Sequence, residues 1–176
     1  DRHAAIINIE QHGMSHFNLW GIPDDPAVFA QWYNNLQRHV QENTRLGIPV
    51  TIASDPRHHF SNSIFSFVGP GFSQFPETLG LAAIGDMSLI EQFAGIVRKE
   101  YVAVGIRLAL HPQIDLATEP RWARINGGFG EDAQLTANIA KRYVIGLQGK
   151  SLSSTSVATM VKHFPGGAPQ KDGLDP

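Results

Sequence analysis

Three stretches of this chain repeat one order of signals: a helical pattern opened by an acidic cap, a glycine, then a short apolar run that stops on polar groups. The first opens at Asp25-Pro26, a cap residue followed by a proline where a helix has no backbone hydrogen bond to lose. Its pattern runs from Ala27 to Leu46 and ends at Gly47, a residue suited to a left-handed helix stop. Ile48-Pro-Val-Thr-Ile-Ala53 reads as a strand that joins a sheet only after Pro49, because proline cannot donate to a ladder, and Ser54-Asp55-Pro56 stops it. The second stretch opens at Asp86. Leu89, Ile90, Phe93, Ile96, Val97, Tyr101 and Val104 recur at helical spacing, Gly105 closes the helix, and the strand Ile106–Leu110 stops at His111-Pro112. The third opens near Glu131-Asp132 and carries Leu135, Ile139, Tyr143 and Leu147 on one stripe. It exits at Gly146 and Gly149 and, past a Ser/Thr stretch, reaches a strand from Val157 to His163.

Strands joined through helices favour parallel pairing with right-handed crossovers, so the pattern predicts an α/β fold. In open α/β sheets and in (β/α)8 barrels alike, the carboxyl ends of the strands carry the site. Asp55, His111 with Asp115, and Lys162-His163 are therefore expected on one face. Two long loops interrupt the pattern. The Gly/Pro-rich stretch from Phe60 to Gly80 holds Phe60, Phe65, Phe67, Phe72 and Phe75 and reads as a loop pinned by aromatic burial rather than a pocket wall. The stretch from Pro112 to Gly130 is rich in arginine and acids.

A length of 176 residues with 42% hydrophobic content is enough for one domain with a real core. The net charge of −2 and the scatter of the basic residues argue against a nucleic-acid partner. No apolar run approaches the ~20 residues of a membrane span. The absence of cysteine excludes disulfides and thiolate metal sites. The eight histidines are scattered and none sits in a His-Glu-x-x-His spacing, so no metal site and no cofactor is expected. The chain opens on Asp-Arg-His, so no signal peptide is visible, although a processed one leaves no trace.

Lys162 and His163 are hard to explain as filler. A lysine ending an apolar strand must find water, an acid or a ligand, and strand alternation would send the two side chains to opposite sides. Together they suit a hydroxyl-rich ligand. Asp55 is either a turn former or an acceptor for two ligand hydroxyls. Arg121 and Arg124 flank Trp122. Arg121 is expected in an ion pair with Glu119, Glu131 or Asp132, and Trp122 is more often a packing anchor than a platform for a ligand. Glu131 and Asp132 are well placed for the dipole of the helix that follows. No Gly-x-Ser-x-Gly elbow and no Walker loop occurs. The carboxylates Asp55, Asp115, Glu119, Glu131 and Asp132 allow many pairs, but spacing in sequence sets no separation between them.

Four motifs then occur in order: Ile48-Pro-Val-Thr-Ile-Ala-Ser-Asp55, Pro112-Gln-Ile-Asp-Leu-Ala-Thr-Glu-Pro-Arg-Trp-Ala-Arg124, Gly128-Phe-Gly-Glu-Asp132 and Lys162-His-Phe-Pro-Gly166. With their intervals they resemble the N-terminal barrel of glycoside hydrolase family 3, the β-glucosidase-like exo-acting enzymes, over nearly the whole chain. The resemblance implies about half of a (β/α)8 TIM-type barrel, with residues 1–176 forming a single partial domain. It implies a retaining mechanism on terminal β-linked sugars, in which a carboxylate forms a glycosyl-enzyme intermediate and a second group serves as acid/base. It assigns Asp55, Arg124, Lys162 and His163 to substrate binding in the innermost subsite, and it favours a secreted or periplasmic location. Two loop positions depart from the family: Gly127 stands where glutamate is common, and Ala123-Arg124 where Gly-Arg is usual.

The family nucleophile is an aspartate in a short motif, often Ser-Asp-Trp, beyond the Lys-His strand. The one Ser-Asp here, Ser54-Asp55, already matches the earlier motif. Closing a (β/α)8 barrel takes eight strands and about 200–250 residues or more, whereas at most four strands are legible. The expectation is a segment of a longer β-glucosidase that holds the sugar, with no catalytic residue of its own and the rest of the enzyme as its partner, possibly as a separate chain. Alternatives are a β-xylosidase or β-N-acetylglucosaminidase of the same family, a non-catalytic sugar-binding module, or a half-barrel that assembles with copies of itself through its open edges.

Overall fold

The computed structural model describes residues 2–60, 69–164 and 171–174. Among these residues, four parallel strands form one sheet in the order β1-β2-β3-β4: His16–Asn18, Thr51–Ser54, Leu108–Ala109 and Ala158–Thr159. His16 pairs with Thr51, Ala53 with Leu108, and Leu108 with Ala158, so the strands advance in register toward one carboxyl-end face. The helices are α1 (Arg2–His12), α2 (Pro26–Asn43), α3 (Thr78–Ile84), α4 (Met87–Val104) and α5 (Ala133–Gln148).

The three caps read from sequence are formed. Asp25 accepts from the Ala27 N–H, Asp86 from those of Ser88 and Leu89, and Asp132 from that of Leu135, each satisfying N–H groups that a helix start leaves without partners. At the far end of α4, Gly105 takes the left-handed conformation (φ +91°), and a Cβ there would strike the Tyr33 ring at 2.4 Å.

Several boundaries differ from the sequence reading. Helix α2 stops at Thr44, short of Gly47, because the Thr44 hydroxyl and N–H both donate to the Val40 carbonyl at 2.7 and 3.2 Å. Gly47 keeps a positive φ of +61° in the turn beyond. Gly146 is not an exit. It lies inside α5, where a Cβ would meet Ala94 Cβ at 2.5 Å and the Glu91 carbonyl at 2.7 Å. It is the bare point that lets α4 and α5 pack side by side. Leu89 and Ile96 sit on the exposed side of α4, while Ile90, Phe93, Val97, Tyr101 and Val104 are buried. Of the loop phenylalanines, Phe72 is buried and Phe60 is exposed, while Phe65 and Phe67 lie outside the described residues. Helices α1 and α3 and strand β1 lie outside the three repeats.

The core lies between the sheet and its helices. Phe29, Leu36 and Val40 come from α2, and Ile52 and Ala109 from the strands. Phe93, Val97 and Tyr101 come from α4, and Ile139, Tyr143 and Leu147 from α5. Phe93 is central, with its ring 4.9 Å from Phe75 and 5.6 Å from Tyr143. This packing turns the sheet's carboxyl edge outward, where loops can reach it.

Candidate functional site

The strand ends bring distant polar groups together. Lys162 lies three residues past β4, where its backbone bridges to the segment after β3: its N–H donates to the Pro112 carbonyl, and its carbonyl accepts from Ile114. That ladder carries the side chain toward the end of β2. There Nζ stands 2.6 Å from Asp55 Oδ1. The other carboxylate oxygen, Oδ2, accepts from Asn18 Nδ2 at 3.2 Å, at the end of β1. Lys162 and Asp55 are about one-fifth exposed, 20% and 18% at the side chain. The pair is therefore half-sheltered, and a ligand can still reach it.

A second array starts at the next residue. His163 lies beyond the strand, and the peptide joining it to Lys162 is cis. Because β4 ends at Thr159 and His163 lies in a turn, the divergence of the two side chains does not come from strand alternation. His163 Nδ1 is 2.7 Å from Asp115 Oδ2, and its backbone N–H donates to Asp115 Oδ1. Asp115 is fully buried at its side chain. The ring's other nitrogen, Nε2, lies 3.0 Å from Arg124 Nη2. A guanidinium only donates, so Nε2 must accept, and Nδ1 must carry the proton given to Asp115. The imidazole is thereby held at both nitrogens. The Arg124 guanidinium also stands 5.9 Å from the centre of the Trp122 ring. Its carbonyl accepts from Gln113 Nε2, and the same Gln113 amide fills the space beside Gly127, where a Cβ would meet Oε1 at 3.0 Å.

Beneath these pairs the support is buried. Ser54 Oγ donates to the Asp55 carbonyl and accepts from Arg57 Nε. Arg57 Nη2 donates to the carbonyls of Leu19 and Trp20, tying the end of β1 to the end of β2. Tyr101 Oη donates to the Asp55 carbonyl at 3.1 Å and lies 3.3 Å from His111 Nε2, whose Nδ1 is 2.7 Å from Tyr143 Oη. Burial pushes His111 well below the ordinary imidazole range and both tyrosines above the ordinary phenol range. All three stay neutral. To one side, Glu100 accepts from the backbone and side chain of Ser73 and from His58, fastening the loop after β2 to α4.

The four residues singled out from sequence thus resolve into two pairs, Asp55 with Lys162 and Arg124 with His163. Arg121 faces Glu119 in a two-pronged ion pair at 2.8 and 2.9 Å and also reaches Asp172. Trp122 is buried as a packing anchor, and Asp132 is a helix cap. Asn18, Gln113, Arg57 and the structural roles of Tyr101 and Tyr143 were not read from sequence. Asn18 ends a three-residue strand outside the repeats, and the two tyrosines look like stripe members of their helices.

The model of the glycosyl hydrolase family 3 N-terminal domain matches residues 17–174. Beta-glucosidase C of Emericella nidulans is 49% identical over 164 residues, which are 92% of this chain and 26% of the relative. A periplasmic beta-glucosidase/beta-xylosidase of Dickeya chrysanthemi is 55% identical over 178 residues, 99% of this chain and 27% of the relative. The chain therefore spans about a quarter of the length of the curated relatives it matches. Among solved structures, a β-glucosidase involved in saponin metabolism from intestinal bacteria superposes with a TM-score of 0.80 at 27% identity, covering 99% of this chain and 21% of the other.

Proposed function

The chain belongs to glycosyl hydrolase family 3, and from that premise we propose that it supplies the sugar-gripping part of a retaining exo-β-glycosidase acting on terminal, non-reducing β-D-glucosyl residues. The observation that carries this reading is the pair of arrays, Lys162–Asp55–Asn18 and Arg124–His163–Asp115, gathered at the carboxyl ends of neighbouring parallel strands.

The arrays suit a pyranose. Each oxygen of a carboxylate has two acceptor sites. Oδ1 and Oδ2 of Asp55 each hold one protein donor in a different direction. Each oxygen retains capacity for one hydroxyl, and two adjacent sugar hydroxyls match the two oxygens of one carboxylate. Lys162 has three donors, of which one is directed to Asp55, so it reaches the same hydroxyls as a donor. Arg124 is held by His163 and the Trp122 face, which limits the motion of its rigid fork. His163 enters the site through that restraint.

In this reading the chain binds and orients, and bond cleavage is done by groups from the rest of the enzyme: an aspartate that forms the glycosyl intermediate and a separate acid/base residue. The four parallel strands make about half of the eight that such a barrel requires. β-Xylosidase activity is a second reading, favoured by the Dickeya chrysanthemi relative, which is named for both activities.

The test is hydrolysis of 4-nitrophenyl β-D-glucoside and β-D-xyloside by the complete enzyme, with the product anomer followed by proton NMR. The β-anomer is expected to appear first, and Asp55→Ala is expected to lower kcat/KM by roughly a hundredfold or more, as for loss of a charged, half-sheltered hydrogen-bond partner. An α-anomer as first product overturns the retaining mechanism. Unchanged kinetics in Asp55→Ala overturn the sugar site.

A further inference from the structure

We propose that Tyr143, His111 and Tyr101 form a one-directional buried relay that positions Asp55 for its ligand. The inference rests on reading Asp55 as the sugar-binding carboxylate. It adds three positioning residues from three different elements, none of which touches the sugar.

The hydrogen positions follow from the chemistry of the groups. A carbonyl only accepts, so the single hydroxyl hydrogen of Tyr101 points to the Asp55 carbonyl, 3.1 Å away. Toward His111 Nε2, at 3.3 Å, Tyr101 Oη must then accept, and Ser54 and the Arg57 backbone also lie against the same hydroxyl. With Nε2 carrying the proton of a neutral imidazole, Nδ1 is an acceptor, and it receives the Tyr143 hydroxyl at 2.7 Å. Every donor in the chain Tyr143→His111→Tyr101→Asp55 is used once, and the Asp55 carbonyl takes the Tyr101 hydroxyl beside that of Ser54. Burial keeps the groups in this state, since a charged form of any of them would lose its hydration.

The relay crosses the fold. Tyr101 comes from α4, Tyr143 from α5, His111 from the end of β3 and Asp55 from the end of β2. The rings also brace one another: Tyr101 meets His111 and His111 meets Tyr143 edge to face, with centroids 5.8 and 5.5 Å apart. The Asp55 carbonyl receives a second donor from Ser54, itself held by Arg57. A backbone clamped from both sides fixes the direction in which the Asp55 carboxylate leaves the strand. In the same way, buried partners set the orientation of ligating groups in built sites.

A double-mutant cycle in the complete enzyme decides the matter: kcat and KM for an aryl β-glucoside with Tyr101→Phe, Asp55→Ala and both. Tyr101→Phe keeps the ring and removes the donor. It is expected to lower kcat/KM about tenfold in the native background and to change nothing further in the Asp55→Ala background, where there is no carboxylate left to aim. Equal losses in both backgrounds, or no loss in the native one, overturn the relay while leaving the sugar site standing. Full activity in Asp55→Ala alone overturns the sugar site itself, and the relay with it. If Tyr101→Phe does not fold, Tyr143→Phe takes its place in the same cycle. A severalfold loss confined to the native background is then expected, and a loss independent of Asp55 overturns the proposal.

Discussion

Lys162 Nζ and Asp55 Oδ1 meet at 2.6 Å across 107 residues of sequence. The contact joins the segment after β4 to the end of β2, two strands away in the sheet. It depends on the short backbone ladder between Lys162 and the Pro112–Ile114 segment, which holds the lysine at the right height above the sheet.

Removing the ammonium should be costly for this reason. In the complete enzyme, Lys162→Ala is expected to reduce kcat/KM for an aryl β-glucoside by about 30- to 150-fold, equivalent to about 2–3 kcal/mol for a charged hydrogen-bond partner in a half-sheltered site. Lys162→Arg should recover little, because the planar fork cannot take the place of a compact ammonium. Steady-state kinetics of the two variants check this, and activity within threefold of native for Lys162→Ala would exclude the role.

Arg124 and His163 should behave as a unit. With Nδ1 fixed on buried Asp115, His163 Nε2 holds Arg124 at 3.0 Å. Each single variant, Arg124→Lys and His163→Phe, is expected to cost about tenfold or more in kcat/KM. The double variant should cost clearly less than the product of the two, since groups in one network couple by about 0.5–3 kcal/mol. Multiplicative losses would show that the two act independently.

Gly146→Ala sets two opposing effects against each other. Helix propensity favours alanine by about 1 kcal/mol. The added methyl, however, meets Ala94 Cβ at 2.5 Å and the Glu91 carbonyl at 2.7 Å, both on a packed helix that yields little. Overpacking of this kind costs about 1–3 kcal/mol. A lowered Tm in differential scanning calorimetry is expected, and a raised one would mean that α4 and α5 separate at little cost.

Stability should fall on acidification before the carboxylates titrate. Burial holds His58, His59 and His111 below their ordinary range, even though Glu100 pulls His58 upward. The unfolded chain takes protons near pH 6.5 that the folded chain refuses, so the histidine contribution is complete above about pH 6.5 and declines below it. The slope is about 1.4 kcal/mol per pH unit for each histidine that stays neutral. Urea unfolding at pH 7.5 and 5.5 measures this, with a lower midpoint expected at pH 5.5. His111→Gln should flatten the dependence.

Much of the fold was legible because its signals are local. The aspartate caps of α2, α4 and α5 act within three residues, and Gly105 answers a backbone need at its own position. Helical spacing picked out Ile90, Phe93, Val97, Tyr101 and Val104 as a buried stripe. Where the reading failed, a competing contact decided. Thr44 closed α2 before Gly47 could, and Gly146 was needed bare by a neighbouring helix. Strand β1 is three residues long and carries too little pattern to be seen alone.

For the site, the residue types and their order at the strand ends were determined by sequence: an aspartate after β2, an arginine in the loop after β3, and a lysine and histidine after β4. Only the tertiary structure decided the pairing. Asp55 takes Lys162 and Asn18, Arg124 takes His163, and Asp115 becomes the buried anchor of that second pair. It also turned two stripe residues, Tyr101 and Tyr143, into hydrogen-bonding groups facing His111. The reason is physical: caps and periodicity are short-range and written residue by residue. The partner of a charged group, by contrast, is whichever complementary group the packed sheet and helices bring within about 3 Å of it, and that distance exists only once the chain has folded.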